Sequence, residues 1–415
     1  MLTKREYYKL AIFCAIVLII IVVQYFLSDA LEGMTVPIIK ILQEDKYLIN
    51  SMQWVTTLGS KKVKNFMMVF IFSACNTYHS FLYTLVCYTS ILFCSWLKMI
   101  LQEPRPFWLD DGVTAYDCEP GYGYPSNHVL TSVPSFLMFF EILYYHFEVD
   151  RTVNAKIFYW VGMSVSTLLC FILGLSRMVL GVHSLDQVFF GLLMGLASYY
   201  FYLHVIDYDI RNYHPFLHEM TNPFQKAKII FTFLSIYIGF LINAMFANIY
   251  YDPIWTPRIV RACGKMPNVS PFYKCIADSA EYFCLIGAIL GILYDINFNY
   301  SIINNKLTVE YIFDNISDNL ISHRDNKENR TGTWNDTQLW IGVLRFFLMF
   351  IVVNICFSFS FLLFSYFEDH ILTYFIFSKM LPCFLSGFLI FAFGKKLSVI
   401  LHLGNTYLGN KEKIK

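Results

Sequence analysis

Three short stretches of this chain combine residue types that can do chemistry on an anion. The densest, Ser176 to Gly191, puts Arg177, His183 and Asp186 within ten positions between two apolar runs. Charge beside a membrane span is costly, so it is usually partnered or functional. A second stretch spaces Lys98 six residues ahead of Arg105-Pro106, and a third reads Pro125-Ser126-Asn127-His128 at the start of another apolar run. Singly, each has a plain reading. Lys98 at a helix end is an anchor that snorkels to water. Ser126 or Asn127 caps a helix. A lone His183 is structural.

Together, and in this order, they suit a phosphoryl group. Phosphoryl transfer is mostly positioning and electrostatic stabilisation. Lys98, Arg105 and Arg177 supply positive charge, and an arginine can bind two oxygens at once. The Ser126 hydroxyl and the backbone amides near Asn127, at a helix amino terminus, add donors where an anion is favoured. His183 is then the nucleophile that attacks phosphorus in line. His128 protonates the leaving alkoxide and later activates water. No metal and no cofactor is called for, because the fixed cations take that role.

The elements that must position these groups follow from hydropathy. Of 415 residues 57% are hydrophobic and 15% charged, whereas soluble domains hold about 45–50% apolar and about 25% charged residues. The surplus falls in runs long enough for membrane helices, which need about 20 residues. The fold expected is all-α and polytopic, with about ten transmembrane helices. A net charge of +1 leaves no basic field for nucleic acid. The eleven cysteines show no zinc spacing and mostly sit within apolar runs as small hydrophobes.

The first span, Leu10 to Leu27, reads as an uncleaved signal anchor, with no convincing cleavage site after it. An amphiphilic segment, 28–62, follows outside the bilayer. Spans two and three share the run from Asn65 to Leu101, split near Asn76–His79. Residues 102–126, rich in proline and glycine, form a loop. Span four begins near His128, and spans five and six occupy about 157–175 and 185–206. Spans seven to ten fall near 228–248, 276–294, 339–366 and 371–393. A polar stretch covers 207–226, and a polar, asparagine-rich loop covers 295–337. The chain so divides into 1–59, a catalytic core at 60–206, and a four-span region at 207–415.

The basic amino-terminal segment and the lysines of the tail place both ends in the cytosol. The loops at 102–126 and 177–184 then share the lumenal or external face, in the endoplasmic reticulum or at the plasma membrane. Sequons stand at Asn268, Asn299, Asn315, Asn329 and Asn335, of which only Asn268 faces that side. Cys263 and Cys275 beside it are a candidate pair.

The three stretches together resemble the signature of the type-2 phosphatidic-acid phosphatase (PAP2) superfamily, in its lipid phosphate phosphatase and glucose-6-phosphatase-like branch. The resemblance covers roughly residues 60–206. It implies a six-helix catalytic bundle, a metal-independent phosphatase with a phosphohistidine intermediate, and the roles given above. Two positions depart from the pattern. Asn127 replaces a glycine, and asparagine tolerates a left-handed backbone. Where the family has His, three residues, then Asp, this chain has Gln187 at the aspartate position, with Asp186 one residue earlier. Either Asp186 or Gln187 orients His183.

The resemblance also bounds the substrate. Arg105-Pro106-Phe107-Trp108 and Cys118-Glu119 look like the glucose-6-phosphatases, and Gly181-Val182-His183-Ser184 like the lipid and sphingoid-base phosphatases. A lipid phosphate, phosphatidate or a sphingoid-base phosphate, is favoured over a sugar phosphate, reaching the site sideways among membrane lipids. A vanadium haloperoxidase would be soluble. A transporter would line the bilayer midplane with its polar groups. An inactive scaffold would have lost a motif residue. Spans seven to ten are left to shield the site or to join two copies as a homodimer.

Overall fold

A computed structural model describes residues 4–75, 77–148, 153–206, 223–264, 270–302, 339–367, 373–401 and 403, and these are helical with no strand. In chain order the elements are α1 (Lys4–Leu42), α2 (Lys46–Thr56), α3 (Lys61–Ala74), α4 (Thr77–Leu101), the short α5 (Pro106–Leu109), α6 (Asn127–Glu148), α7 (Val153–Val179) and α8 (Leu185–Tyr200). They continue as α9 (Pro223–Phe246), α10 (Trp255–Cys263), α11 (Pro271–Ser279), α12 (Phe283–Ile302), α13 (Leu339–Phe367) and α14 (Leu381–Ile400).

All ten expected spans are helices. Eight helical stretches among the described residues are long and apolar enough to cross a membrane, not ten. The two that fall short have physical reasons. Helix α3 has 14 residues, below the roughly 20 a crossing needs. Helix α6 has 22 but opens with Asn127 and His128 and buries Thr131, Ser132, Ser135 and Glu141. Residues 28–42 are not a separate amphiphilic segment either, because α1 runs unbroken for 39 residues through Pro37. Helix α12 likewise carries 295–302, the start of the expected polar loop. The rest of that loop, most of 207–226, Asn268, Asn315, Asn329, Asn335 and the lysines of 411–415 lie outside the described residues.

The chain forms two compact units, each drawn from three separate stretches. One comprises residues 1–64, 89–209 and 239–279; the other 65–88, 210–238 and 280–415. This cuts across the three consecutive segments read from the sequence.

In the first unit α6 packs against α7 and α8, and α1 against α8. Glycines set the spacing. A Cβ on Gly195 of α8 would lie 2.8 Å from Val133 Cβ and 2.9 Å from Leu130 O of α6, and one on Gly191 3.2 Å from Ser126 O. Small residues at this spacing let helix backbones approach closely in a bilayer. Leu130, Phe190, Met194, Ala197 and Ile20 join in one apolar core with Cys94 and Tyr124. Leu185 N–H donates to Thr35 Oγ1 at 3.0 Å, tying α1 to the start of α8.

The loop 110–125 is fastened to α10. Trp108 and Trp255 rings lie 5.4 Å apart, Arg258 Nη1 donates to Trp108 O at 3.2 Å, and Cys118 and Cys263 form a disulfide. The pairing of Cys263 with Cys275 is therefore corrected. Cys275 is a buried free thiol on α11, and its partner in sequence reaches back 145 positions instead.

In the second unit α12 and α14 pack most intimately, with α13 against α14. A Cβ on Gly287 would run into Phe384 O, and one on Gly387 into Cys284 O.

Candidate active site

The site begins with the turn between α7 and α8. Arg177 sits in the last turn of α7. Its carbonyl accepts from Val182 N at 3.1 Å and His183 N at 3.3 Å, folding the chain back on itself. The fold needs Gly181, whose φ is +73° and where a Cβ would strike Thr114 O. The six-residue spacing from Arg177 to His183 thus becomes one tight turn, with His183 just ahead of α8.

His183 is 1% exposed. Its Nδ1 lies 3.1 Å from Gln187 Oε1 and its Nε2 3.3 Å from Arg105 Nη1. The Gln187 amide is fixed at both ends: Nε2 donates to Pro104 O at 2.8 Å, and Oε1 accepts from Ser184 N at 3.3 Å. Its oxygen must then face the histidine, so Nδ1 carries the proton and Nε2 presents a lone pair. Gly123 makes room for this amide, since a Cβ there would lie 2.6 Å from it. Between the two residues left open, the one on the ring is Gln187. Asp186 is buried on α8, and its Oδ1 has no hydrogen-bond partner among the described residues. It acts electrostatically on Glu32 and Glu103 instead.

Arg105 precedes α5 and is held on three sides. Nε donates to Gly121 O at 2.6 Å, Nη1 to Val182 O at 3.0 Å, and Nη2 to Glu119 Oε2 at 3.1 Å. Arg177 Nη1 donates to Thr56 Oγ1 at 2.6 Å and to Asp117 Oδ2 at 2.9 Å, and Nη2 to Glu119 Oε1 at 3.2 Å. One carboxylate therefore bridges the two arginines. Lys98, in the last turn of α4, donates to Tyr122 O. Ser126 N–H donates to Gln187 O at 3.1 Å, while Ser126 Oγ, Asn127 Oδ1 and Arg177 Nε are buried with no hydrogen-bond partner among the described residues. Each such atom costs about 1–3 kcal/mol, so a cluster of them marks a place built for something the polypeptide does not supply.

His128, in the first turn of α6, packs beside Gly59, where a Cβ would lie 2.7 Å from its ring. Arg177, Glu119, Lys64 and Arg105 act on it electrostatically, and Arg105, Lys98, Arg177 and Glu119 act on His183. Arg105, Arg177 and Glu119 thus act on both histidines. Burial, then Arg105, Lys98 and Arg177, hold His183 well below the ordinary histidine value. Burial alone would raise the Glu119 carboxyl, yet Arg177 and Arg105 outweigh it and hold the group well below the usual range.

Sequence reasoning singled out the cations but passed over the acids that hold them. Asp117 and Glu119 have a local signal, two carboxylates inside a loop of prolines and glycines, and Glu119 entered only through the Cys118-Glu119 resemblance. Thr56 has none, lying 121 positions from Arg177.

A set of membrane-length helices defines a multi-pass membrane protein, with the guanidinium groups of Arg105 and Arg177 buried and the first of them beside His183. Residues 79–211, which include Lys98 through Asp186 of the predicted set, match the family model of the PAP2 superfamily. Among solved structures the chain is similar to the first transmembrane PAP2 type phosphatidylglycerolphosphate phosphatase from Bacillus subtilis, at 19% identity and a TM-score of 0.39, over 47% of this chain and 96% of that one. No curated protein matches the chain.

Proposed function

We propose that this protein is an integral-membrane phosphatase that hydrolyses a phosphomonoester through a phosphohistidine. The observation that carries the reading is the state of His183: neutral, with Nδ1–H on Gln187 and the Nε2 lone pair turned toward Arg105. An in-line nucleophile needs that lone pair. Arg105, Arg177 and Lys98 hold the phosphoryl oxygens, and Ser126 Oγ and the first amides of α6 complete the cradle. As the P–O bond to the alcohol breaks and the Nε2–P bond forms, His128, which takes up a proton when the substrate dianion offsets the neighbouring cations, gives that proton to the leaving oxygen. It then takes one from the water that attacks the phosphohistidine and frees phosphate.

A lipid phosphate is the favoured substrate, because the site is assembled from membrane-length helices. The second reading, a sugar phosphate, rests on Asp117 and Glu119, whose side chains are 41% and 29% exposed and offer acceptors to a polyol. The disulfide joining the site loop to α10 favours an oxidising compartment on the site's side of the membrane.

The test is phosphate release from detergent-solubilised protein offered phosphatidate, a sphingoid-base phosphate and glucose 6-phosphate. His183→Ala is expected to lose activity by at least 1,000-fold, roughly the scale seen on removing a nucleophile, and vanadate to inhibit the wild type. Equal release by wild type and His183→Ala would sink the mechanism.

A further inference from the structure

Glu119 stands where the phosphoryl group must go. Its Oε2 is on Arg105 Nη2 and its Oε1 on Arg177 Nη2. Apart from Arg177 Nε, the other donors of both arginines are engaged elsewhere: Arg105 by Gly121 O and Val182 O, Arg177 Nη1 by Thr56 and Asp117. Remove the Glu119 carboxylate and both guanidinium groups stay anchored, each with Nη2 turned to the same point. The arginines are 1% and 0% exposed, whereas the Glu119 side chain is 29% exposed. Lys274 is a further cation within its electrostatic reach.

Resting on the phosphatase reading, we propose that Glu119 is a specificity-determining competitor: its carboxylate occupies the phosphoryl subsite and yields only to a dianion. The physical need is clear. Without Glu119 the two buried guanidinium groups would have only Asp117, which reaches Arg177 alone; an unbalanced buried charge is strongly destabilising, and beside a membrane such a site meets phosphodiester headgroups in excess. A monoanionic diester offers no more charge than the carboxylate it must displace. A phosphomonoester dianion offers about one unit more, with a third oxygen for Ser126 Oγ and Arg177 Nε. Protonation does not open the subsite at ordinary pH, since Glu119 stays ionised there.

The sign of one substitution separates competition from support. Titration calorimetry of detergent-solubilised protein with inorganic phosphate and with dimethyl phosphate is the measurement. Wild type is expected to bind phosphate and not the diester. Glu119→Gln, which keeps an acceptor but no charge, is expected to bind phosphate at least 10-fold tighter and to bind dimethyl phosphate as well. If Glu119 merely props the arginines, Glu119→Gln binds phosphate more weakly, and equal or weaker binding overturns the proposal. Should Glu119→Gln not fold, Glu119→Asp decides. It keeps the charge but is one methylene too short to bridge both arginines, so tighter phosphate supports competition and equal or weaker binding refutes it. Phosphate bound by wild type with no gain in the variants rejects this inference alone. No phosphate bound by any of the proteins rejects the phosphatase reading with it.

Discussion

Two helix pairs in this protein use the same device to different ends. Helices α6 and α8 meet over Gly191 and Gly195, and α12 and α14 over Gly287, Gly291 and Gly387. In the second pair the close approach brings together Cys284 and Ser386, whose side-chain atoms lie 3.5 Å apart. In the first pair it fixes the amino-terminal turn of α6, with Ser126 and His128, against the start of α8, where Gln187 and His183 lie. Ser126 N to Gln187 O is the bond that records it. Close glycine packing is thus scaffold in both units. The second pair carries an ion pair, Asp295 with Lys396; the difference is the cluster of Arg105, Arg177, Asp117 and Glu119 that the first unit adds beside its helix ends.

Breaking that charge should have the largest effect. Arg177→Met leaves Glu119 and Asp117 with a buried partner missing, and removing one side of a buried pair costs about 3–5 kcal/mol. Activity is expected to be undetectable, and the midpoint of denaturation to fall clearly, as read by phosphate release and by thermal unfolding in detergent. A variant that keeps wild-type stability would show that the Arg177 cluster is not a structural pair.

The next test is symmetric. Gly195→Leu and Gly291→Leu each wedge a glycine contact, and overpacking costs about 1–3 kcal/mol. Both should lower stability to a similar degree. Only Gly195→Leu should also reduce the turnover of the folded fraction, by 10-fold or more, because it moves His128 relative to His183. Equal turnover losses in the two variants would make the comparison between the pairs empty.

What was legible in the sequence was what local pattern carries. Hydropathy placed a helix at each of its ten expected spans, and residue types at short spacing singled out Lys98, Arg105, His128, Arg177 and His183 as candidates. Contacts across long separations were not legible. Thr56 on Arg177, Gly59 on His128 and Cys118 with Cys263 join residues with no pattern between them. For the same reason the first 59 residues looked separate from the core, though Thr35, Gln43, Thr56 and Gly59 all pack into its unit. Sequence alone left Asp186 and Gln187 open as the partner of His183. A ring already crowded by cations and required to stay neutral is served by an amide, which orients without pulling a proton on.

The smallest effect concerns that neutrality. A histidine held below its ordinary value of about 6.5 keeps its lone pair at mildly acid pH. Burial and then Arg105, Lys98 and Arg177 are the causes for His183. The sign for stability follows: the contribution is complete above about pH 6.5 and is lost as pH falls through the folded value. For catalysis, the acid limb of kcat/KM that reports the free enzyme should begin below 6.5. Substrate phosphate also titrates near 6, so the informative quantity is the difference between proteins assayed on one substrate. Lys98→Met removes one of the three cations, and its acid limb should move upward toward 6.5 while the wild-type limb stays lower. Coincident limbs would mean that the cluster's field does not reach the nucleophile, and the buried charge would then distinguish the first unit in stability alone.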